Sequence, residues 1–323
     1  MNKANPSRAP RTKSARPAVS ANDMTSGHSS PPQTVSALWL FGAIGAVIGA
    51  AALSSWGALC LMFWQGSWQL LYHPQAVVAR TPASVGLAFD DLAFAATEAG
   101  LPRLHGWLIP APPGARYSRY TVLYLHGTNG NLGDTVDELA RLHNAGLNEF
   151  AFDYRGYGRS QPIHPSEAHW REDAEWALQY LTGTRHIPIS SVVLVGQNLG
   201  ANLALEMAAS HPDLAGVVLQ EPSDVPLSPV FEDPRARMVP AHLLVRDHWD
   251  AVAPASALLI PSLWFYRPAK GATTNPSAEP EFFKRASARK VLVWLPATFK
   301  NNADYLNALT AWLDELPAKV GNP

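Results

Sequence analysis

The stretch "VLVGQNLGANLAL", Val193 to Leu205, joins an apolar run to a helix of small residues across a Gly-x-x-x-Gly turn, Gly196 to Gly200. A strand that turns this sharply into a helix exposes its central side chain on a strained backbone, and serine there acts as a nucleophile. Here the central residue is Asn198, whose amide has no proton to surrender for attack. The position has positive φ in such a turn, which Asn tolerates better than most non-glycine residues, so the turn can persist without the reaction. The helix N-terminus that follows adds partial positive charge.

Other chemistry is sparse. The one cysteine, Cys60, lies in an apolar N-terminal segment, which rules out an intrachain disulfide and a thiol nucleophile in the globular part. "DHWD", Asp247 to Asp250, has metal-ligand residue types but no further His or Cys at ligand spacing, so it reads as a solvated helix end before the next strand. No metal or cofactor motif is present by sequence. His164 and His169 flank a helix start and read as surface residues.

These groups must be held by elements that the chain spells out. With 47% hydrophobic residues and a net charge of -1, the 323 residues can bury a large core and show no electrostatic footprint of a nucleic-acid partner. Residues 1–34 are rich in Pro, Ser, Ala and Asn and carry Lys3, Arg8, Arg11, Lys13 and Arg16, which reads as a disordered basic arm. Residues 35–64 contain no charge, and a bilayer needs only about 20 apolar residues per helix, so one transmembrane helix is expected. A signal peptide would have a shorter apolar core, about 7–15 residues. The basic residues precede the span, which places the arm in the cytoplasm and the rest extracytoplasmic, periplasmic in a Gram-negative cell. The bilayer is therefore an expected partner, and Trp39, Trp56, Trp64 and Trp68 stand where interface anchors would.

From residue 65 onward, strand-like runs alternate with helical ones. "GLAFDDLAFAA" and "LHGWLIPA" read as an antiparallel pair. "YTVLYLHG", "LNEFAFDY", "SVVLVG", "LAGVVLQEP", "IPSLWFYRP" and "RKVLVWLP" read as buried strands. "DTVDELARLHNA", "PSEAHWREDAEWALQYLTG", "LGANLALEMAAS" and "NADYLNALTAWLDEL" have helical spacing. This alternation implies an α/β domain over 65–323, a mostly parallel central sheet with helices on both faces, with 220–258 as a lid or insertion.

With these elements in place the chain resembles the α/β-hydrolase superfamily from about Leu70 to the last helix. "LYLHGTNGN", Leu123 to Asn131, is similar to its oxyanion loop, and "GQNLG", Gly196 to Gly200, falls at its nucleophile elbow. "DYRGYGRS", Asp153 to Ser160, resembles a string of the membrane-anchored, serine-aminopeptidase-like branch. The resemblance implies a triad of Ser, Asp or Glu, and His, in that order. The elbow holds Asn198, the acid loop offers Lys270, and the base loop offers Lys300, with no histidine anywhere after His248. The resemblance also implies oxyanion-like backbone N–H groups at Thr128 and Leu199, beside Gly127.

Two readings follow. In the first, the chain is a membrane-anchored pseudo-hydrolase that binds or scaffolds, and Lys270 and Lys300 facing the N–H pair favour an acyl or anionic small ligand; a protein partner is the other class. In the second, it is an active ester, thioester or amide hydrolase with a rearranged site using Glu221, Asp224 or His126. Deamidation of Asn198 to an elbow carboxylate is a third route, slow beside Leu199. Removal of serine or histidine from such a triad costs roughly a factor of a million in turnover. That magnitude favours the first reading.

Overall fold

The computed structural model describes residues 34–250, 252–268, 279–296 and 303–317. Packing divides the chain into two units, Met1–Leu53 and Ser54–Pro323, and the division falls inside one helix. That helix, α1 (Ala37–Gly66), has no charged residue, and at ~1.5 Å per residue it is about 45 Å long against about 30 Å of hydrocarbon. It is long and apolar enough to cross a membrane. A 3-10 turn, Ser67–Leu70, follows it. Residues 1–33 of the expected basic arm lie outside the described residues.

In the globular unit, β1 (His73–Pro74) precedes the hairpin of β2 (Asp90–Ala96) and β3 (Pro102–Ile109). Then come β4 (Thr121–Leu125), β5 (Asn129–Gly130), α2 (Val136–Asn144), β6 (Asn148–Asp153), α3 (Glu167–Gln179), β7 (Val192–Gln197), α4 (Leu199–Ser210) and β8 (Gly216–Gln220). Three short helices, α5 (Ser228–Phe231), α6 (Ala241–Leu244) and α7 (Val252–Ala257), lie within 220–258. Finally, β9 (Ser262–Tyr266), α8 (Glu281–Arg285), β10 (Lys290–Trp294) and α9 (Ala303–Asp314) complete the described elements.

Eight strands form one sheet in the order β10-β9-β8-β7-β4-β6-β3-β2. It is parallel from β10 to β6 and antiparallel at β3 and β2. The runs "TVLYL", "VVLVG" and "GVVLQ" are almost wholly apolar because each strand is covered on both faces. Leu123, Leu194 and Val217 pack on one face with Trp170 of α3 and Leu203 of α4. Val122, Val193 and Val218 pack on the other with Leu139 of α2 and Leu309 of α9. The chain leaves β4 toward β6 on one side and returns to β7 on the other, and the crevice at such a switch, beyond the strand ends, is where open α/β sheets bind ligands. The turn at Asn198 and the loop after β4 both lie there.

β1 and β5 pair with each other, His73 opposite Asn129, apart from the main sheet. Two residues per strand leave no periodicity to read, and this pairing had no sequence signal.

Candidate functional site

Asn198 links β7 to α4 with φ 52° and ψ −121°. Its N–H donates to Gln220 O at 2.8 Å and its carbonyl accepts from Ala201 N–H at 2.9 Å, so both strand and helix grip the turn. The side chain is exposed and caps nothing. The flanking glycines answer a steric demand. A Cβ on Gly196 would lie 2.6 Å from Ala201 Cα, and one on Gly200 would lie 2.9 Å from the His126 carbonyl carbon, with backbone oxygens closer still.

The loop after β4 backs onto this turn. A Cβ at Gly127 would sit 3.4 Å from Asn198 Cβ and Nδ2, so the structure brings Gly127 and Asn198 together. Thr128 is fixed through its carbonyl, which accepts from His73 N–H and the Tyr157 hydroxyl, both at 2.9 Å. Farther along, Asn131 Oδ1 accepts from Gly133 N–H and Asp134 accepts from Asn131 N–H, a capping box that locks the loop's exit. Among the described residues neither Thr128 N–H nor Leu199 N–H donates a hydrogen bond. Such unspent backbone donors at a helix start can receive a carbonyl oxygen or an anion.

Lys270 and Lys300 lie outside the described residues. What the structure does place at the neighbouring strand ends is an ion pair, Glu221 Oε1 with Arg267 Nε. Glu221 follows β8 with φ 52°, and its N–H donates to Phe265 O at 2.8 Å. The pair borders a cavity of about 150 Å³ with Gln197, Gln220, Leu295 and Tyr305. Gln220 Nε2 donates to Glu138 at 2.7 Å and to the Tyr305 hydroxyl at 2.8 Å, and the Tyr124 hydroxyl donates to Gln197 at 3.2 Å. Sequence reasoning missed Arg267, Gln220 and Tyr305. The available signal was Gln197 and Gln220, polar residues closing two apolar strands in the same register. Asp224 is exposed, on a loop clamped by Asn202, whose amide donates to Ser223 O at 2.6 Å and accepts from Ser223 N–H at 3.0 Å.

His126 is buried among Tyr154, Tyr157 and Trp170, with Nδ1 2.7 Å from Gly127 O and Nε2 3.7 Å from Asp153 Oδ1. Burial pushes its pKa down to about 4 and that of Asp153 up to about 7. A buried imidazole this weakly basic is poorly suited to take a proton at the exposed Asn198 side chain. The rest of the "DYRGYGRS" segment is also structural: Arg155 pairs with Asp173 and Glu172 of α3 and lies 4.7 Å over Trp176.

"DHWD" is corrected by the structure. It is not a solvated helix end: Asp247 accepts from the Tyr72 hydroxyl at 2.7 Å and from Glu167 N–H at 3.1 Å, and Trp249 is buried. Those partners come from distant chain segments, so spacing could not reveal them. Among the described residues no cluster of metal-ligating side chains occurs. His164 is exposed, as expected, but its ring stacks on Trp68 at 4.6 Å.

Comparison with known proteins gives the same architecture. Residues 120–251 match the family model described as the alpha/beta hydrolase fold. An uncharacterised protein of Mycobacterium tuberculosis is 32% identical over 176 residues, 54% of this chain and 60% of that protein. The alpha/beta hydrolase domain-containing protein WAV2 of Arabidopsis thaliana is 32% identical over 143 residues, 44% of each chain. This chain thus spans less than two thirds of the length of either relative. An esterase from Pyrococcus furiosus superposes with a TM-score of 0.56 at 16% identity, covering 76% of this chain and 98% of the esterase, a likeness of fold alone.

Proposed function

We infer that the chain, whose residues 120–251 match the alpha/beta hydrolase family model and whose turn after β7 holds Asn198, is an α/β-hydrolase-like but non-hydrolytic binding module held at a membrane by α1. The observation that carries this reading is the elbow: its turn and its N–H donors are kept, while its side chain has no attacking group. Glu221 is already engaged by Arg267, and no histidine follows His248 to serve as a base. The anchor part rests on the uncharged helix, with the basic arm cytoplasmic and the domain on the far side. The ligand proposed for the elbow is an acyl or anionic small molecule, whose oxygen would meet Thr128 and Leu199 N–H.

Hydrolysis of p-nitrophenyl butyrate by the detergent-solubilised full chain tests the inactive elbow. The wild type, Asn198→Ala and Leu199→Pro are all expected at the buffer background, since a lost triad removes roughly a factor of a million in turnover. Proline is tolerated at the first position of a helix, so Leu199→Pro removes one donor while keeping α4. Wild-type turnover above background that drops in either variant would establish a working site and overturn the reading.

A further inference from the structure

A larger recess lies at the end of α1, and its lining includes neither the Asn198 turn nor the Gly127–Thr128 loop. It is a cleft of about 530 Å³ walled by Trp64, Trp68, Leu71, Leu227, Val230 and Val245. That volume falls within the ~300–1,000 Å³ of small-molecule sites. A groove of about 460 Å³ shares Gln65, Ser67, Trp68 and His164 with it and follows Leu59, Met62 and Phe63 along α1. The apolar wall therefore continues along the helix.

The cleft has one cation to offer. The Arg246 guanidinium lies 4.1 Å over the Trp64 ring. Among the described residues it has no ion-pair partner, whereas Arg235, beside the adjoining groove, is paired with Asp233. Asp247 also lines the cleft, but its two carboxylate oxygens accept from the Tyr72 hydroxyl and Glu167 N–H, and no ion pair joins it to Arg246. An anion entering the cleft would thus meet an unneutralised guanidinium, which suits phosphate oxygens.

The segment around α6 points to where that anion comes from. Trp56 Nε1 donates to Met238 O at 3.1 Å. On the same segment Met238 is 54% and Leu243 84% exposed, between Arg237 and Arg246. Twenty residues of helix cover ~30 Å, the thickness of the hydrocarbon, so a span starting at Ala37 ends at Trp56. The groove, which starts at Leu59, then begins about 4–5 Å beyond that end, in the headgroup layer where Trp and Arg are favoured, and leads on to the cleft at Trp64.

We propose that the cleft holds one anionic phospholipid from the surrounding bilayer, an acyl chain against the Trp64–Leu227 wall and the phosphate on Arg246. This rests on the membrane reading of α1 given above and is independent of the elbow. An uncharged lipid without a phosphate, such as a diacylglycerol, would cover the wall and leave Arg246 unmatched. Free phosphate would match Arg246 and leave the wall wet.

The test uses the full chain in vesicles of phosphatidylcholine and phosphatidylglycerol, carrying a trace of either phosphatidylglycerol or diacylglycerol with a diazirine in its acyl chain. After photolysis the labelled peptides are mapped by mass spectrometry. The phosphatidylglycerol probe should label residues 227–246 and 64–71 roughly tenfold more than the diacylglycerol probe, the factor expected of a hydrogen bond to a charged group. Arg246→Gln should abolish that preference, and Leu227→Trp should reduce labelling by both probes, with melting curves confirming that each variant folds. Inorganic phosphate should not compete. Equal labelling by the two probes, an unaltered preference in Arg246→Gln, or displacement by inorganic phosphate would overturn the proposal. Vesicle flotation separates the two levels: a chain that does not float defeats the membrane reading and this inference together, whereas one that floats without label in the cleft defeats this inference alone.

Discussion

Gly200→Ala is expected to destabilise the domain by about 3 kcal/mol or more, at the upper end of what overpacking costs. Helix propensity alone points the other way, since alanine inside a helix is favoured over glycine by about 1 kcal/mol. The site decides the sign. A Cβ there would lie 2.9 Å from the His126 carbonyl carbon and closer still to the Leu125 and His126 oxygens, and all of these are backbone atoms that cannot rotate away. The end of β4 would have to move off α4, carrying the Gly127–Thr128 loop with it. Gly183→Ala is the control: nothing lies within 4 Å of its Cβ position, and it should be neutral or stabilising by about 0.4–1 kcal/mol. Urea titration followed by tryptophan fluorescence compares the two with the wild type. A Gly200→Ala midpoint at or above the wild-type value would show that the close approach of β4 and α4 is not obligatory.

Asp153→Asn should gain stability relative to the wild type as pH rises. Burial raises the Asp153 pKa from 3.8 to about 7, so the folded wild type keeps a proton that the unfolded chain has lost. A raised folded-state pKa contributes stability that is complete below pH 3.8 and is lost as pH climbs through about 7. The amount at stake is about 4 kcal/mol for roughly three pH units. The asparagine variant cannot titrate, and its Oδ1 can still accept the 2.9 Å hydrogen bond from Leu132 N–H. His126, whose pKa is depressed from 6.5 to about 4, loses stability as pH falls through that window, but it does so in both proteins and drops out of their difference. Urea midpoints at pH 4.5, 6 and 8 measure the effect. A wild-type-minus-variant difference that stays constant from pH 4.5 to 8 would mean that Asp153 is ionised in the fold throughout.

The order of the main elements was legible because β4, β7 and β8 are uninterrupted apolar runs set between helices of clear period. The turn was legible for a steric reason, since Gly196 and Gly200 are the residues that close approach requires, whatever stands between them. His126 could be placed in its loop, but only burial against Trp170 and its approach to Asp153 reveal its basicity. Contacts between remote segments were not legible at all. Glu221 meets Arg267 only because β8 and β9 run side by side, and Trp56 reaches Met238 across a separation of 182 residues. The pairing of β1 with β5 is too short to leave a pattern.

The turn at Asn198 has a consequence for how this domain can change over evolutionary time. Positive φ at a non-glycine residue costs of order 1–3 kcal/mol, and in a working hydrolase that strain is maintained by selection for catalysis. Here the packing of Gly196 on Ala201 and of Gly200 on β4 demands the same backbone whether or not a reaction occurs. Selection for stability alone is then enough to preserve the geometry a nucleophile would need. Architecture and chemistry are uncoupled at this position, so drift in activity leaves the scaffold intact and open to later recruitment.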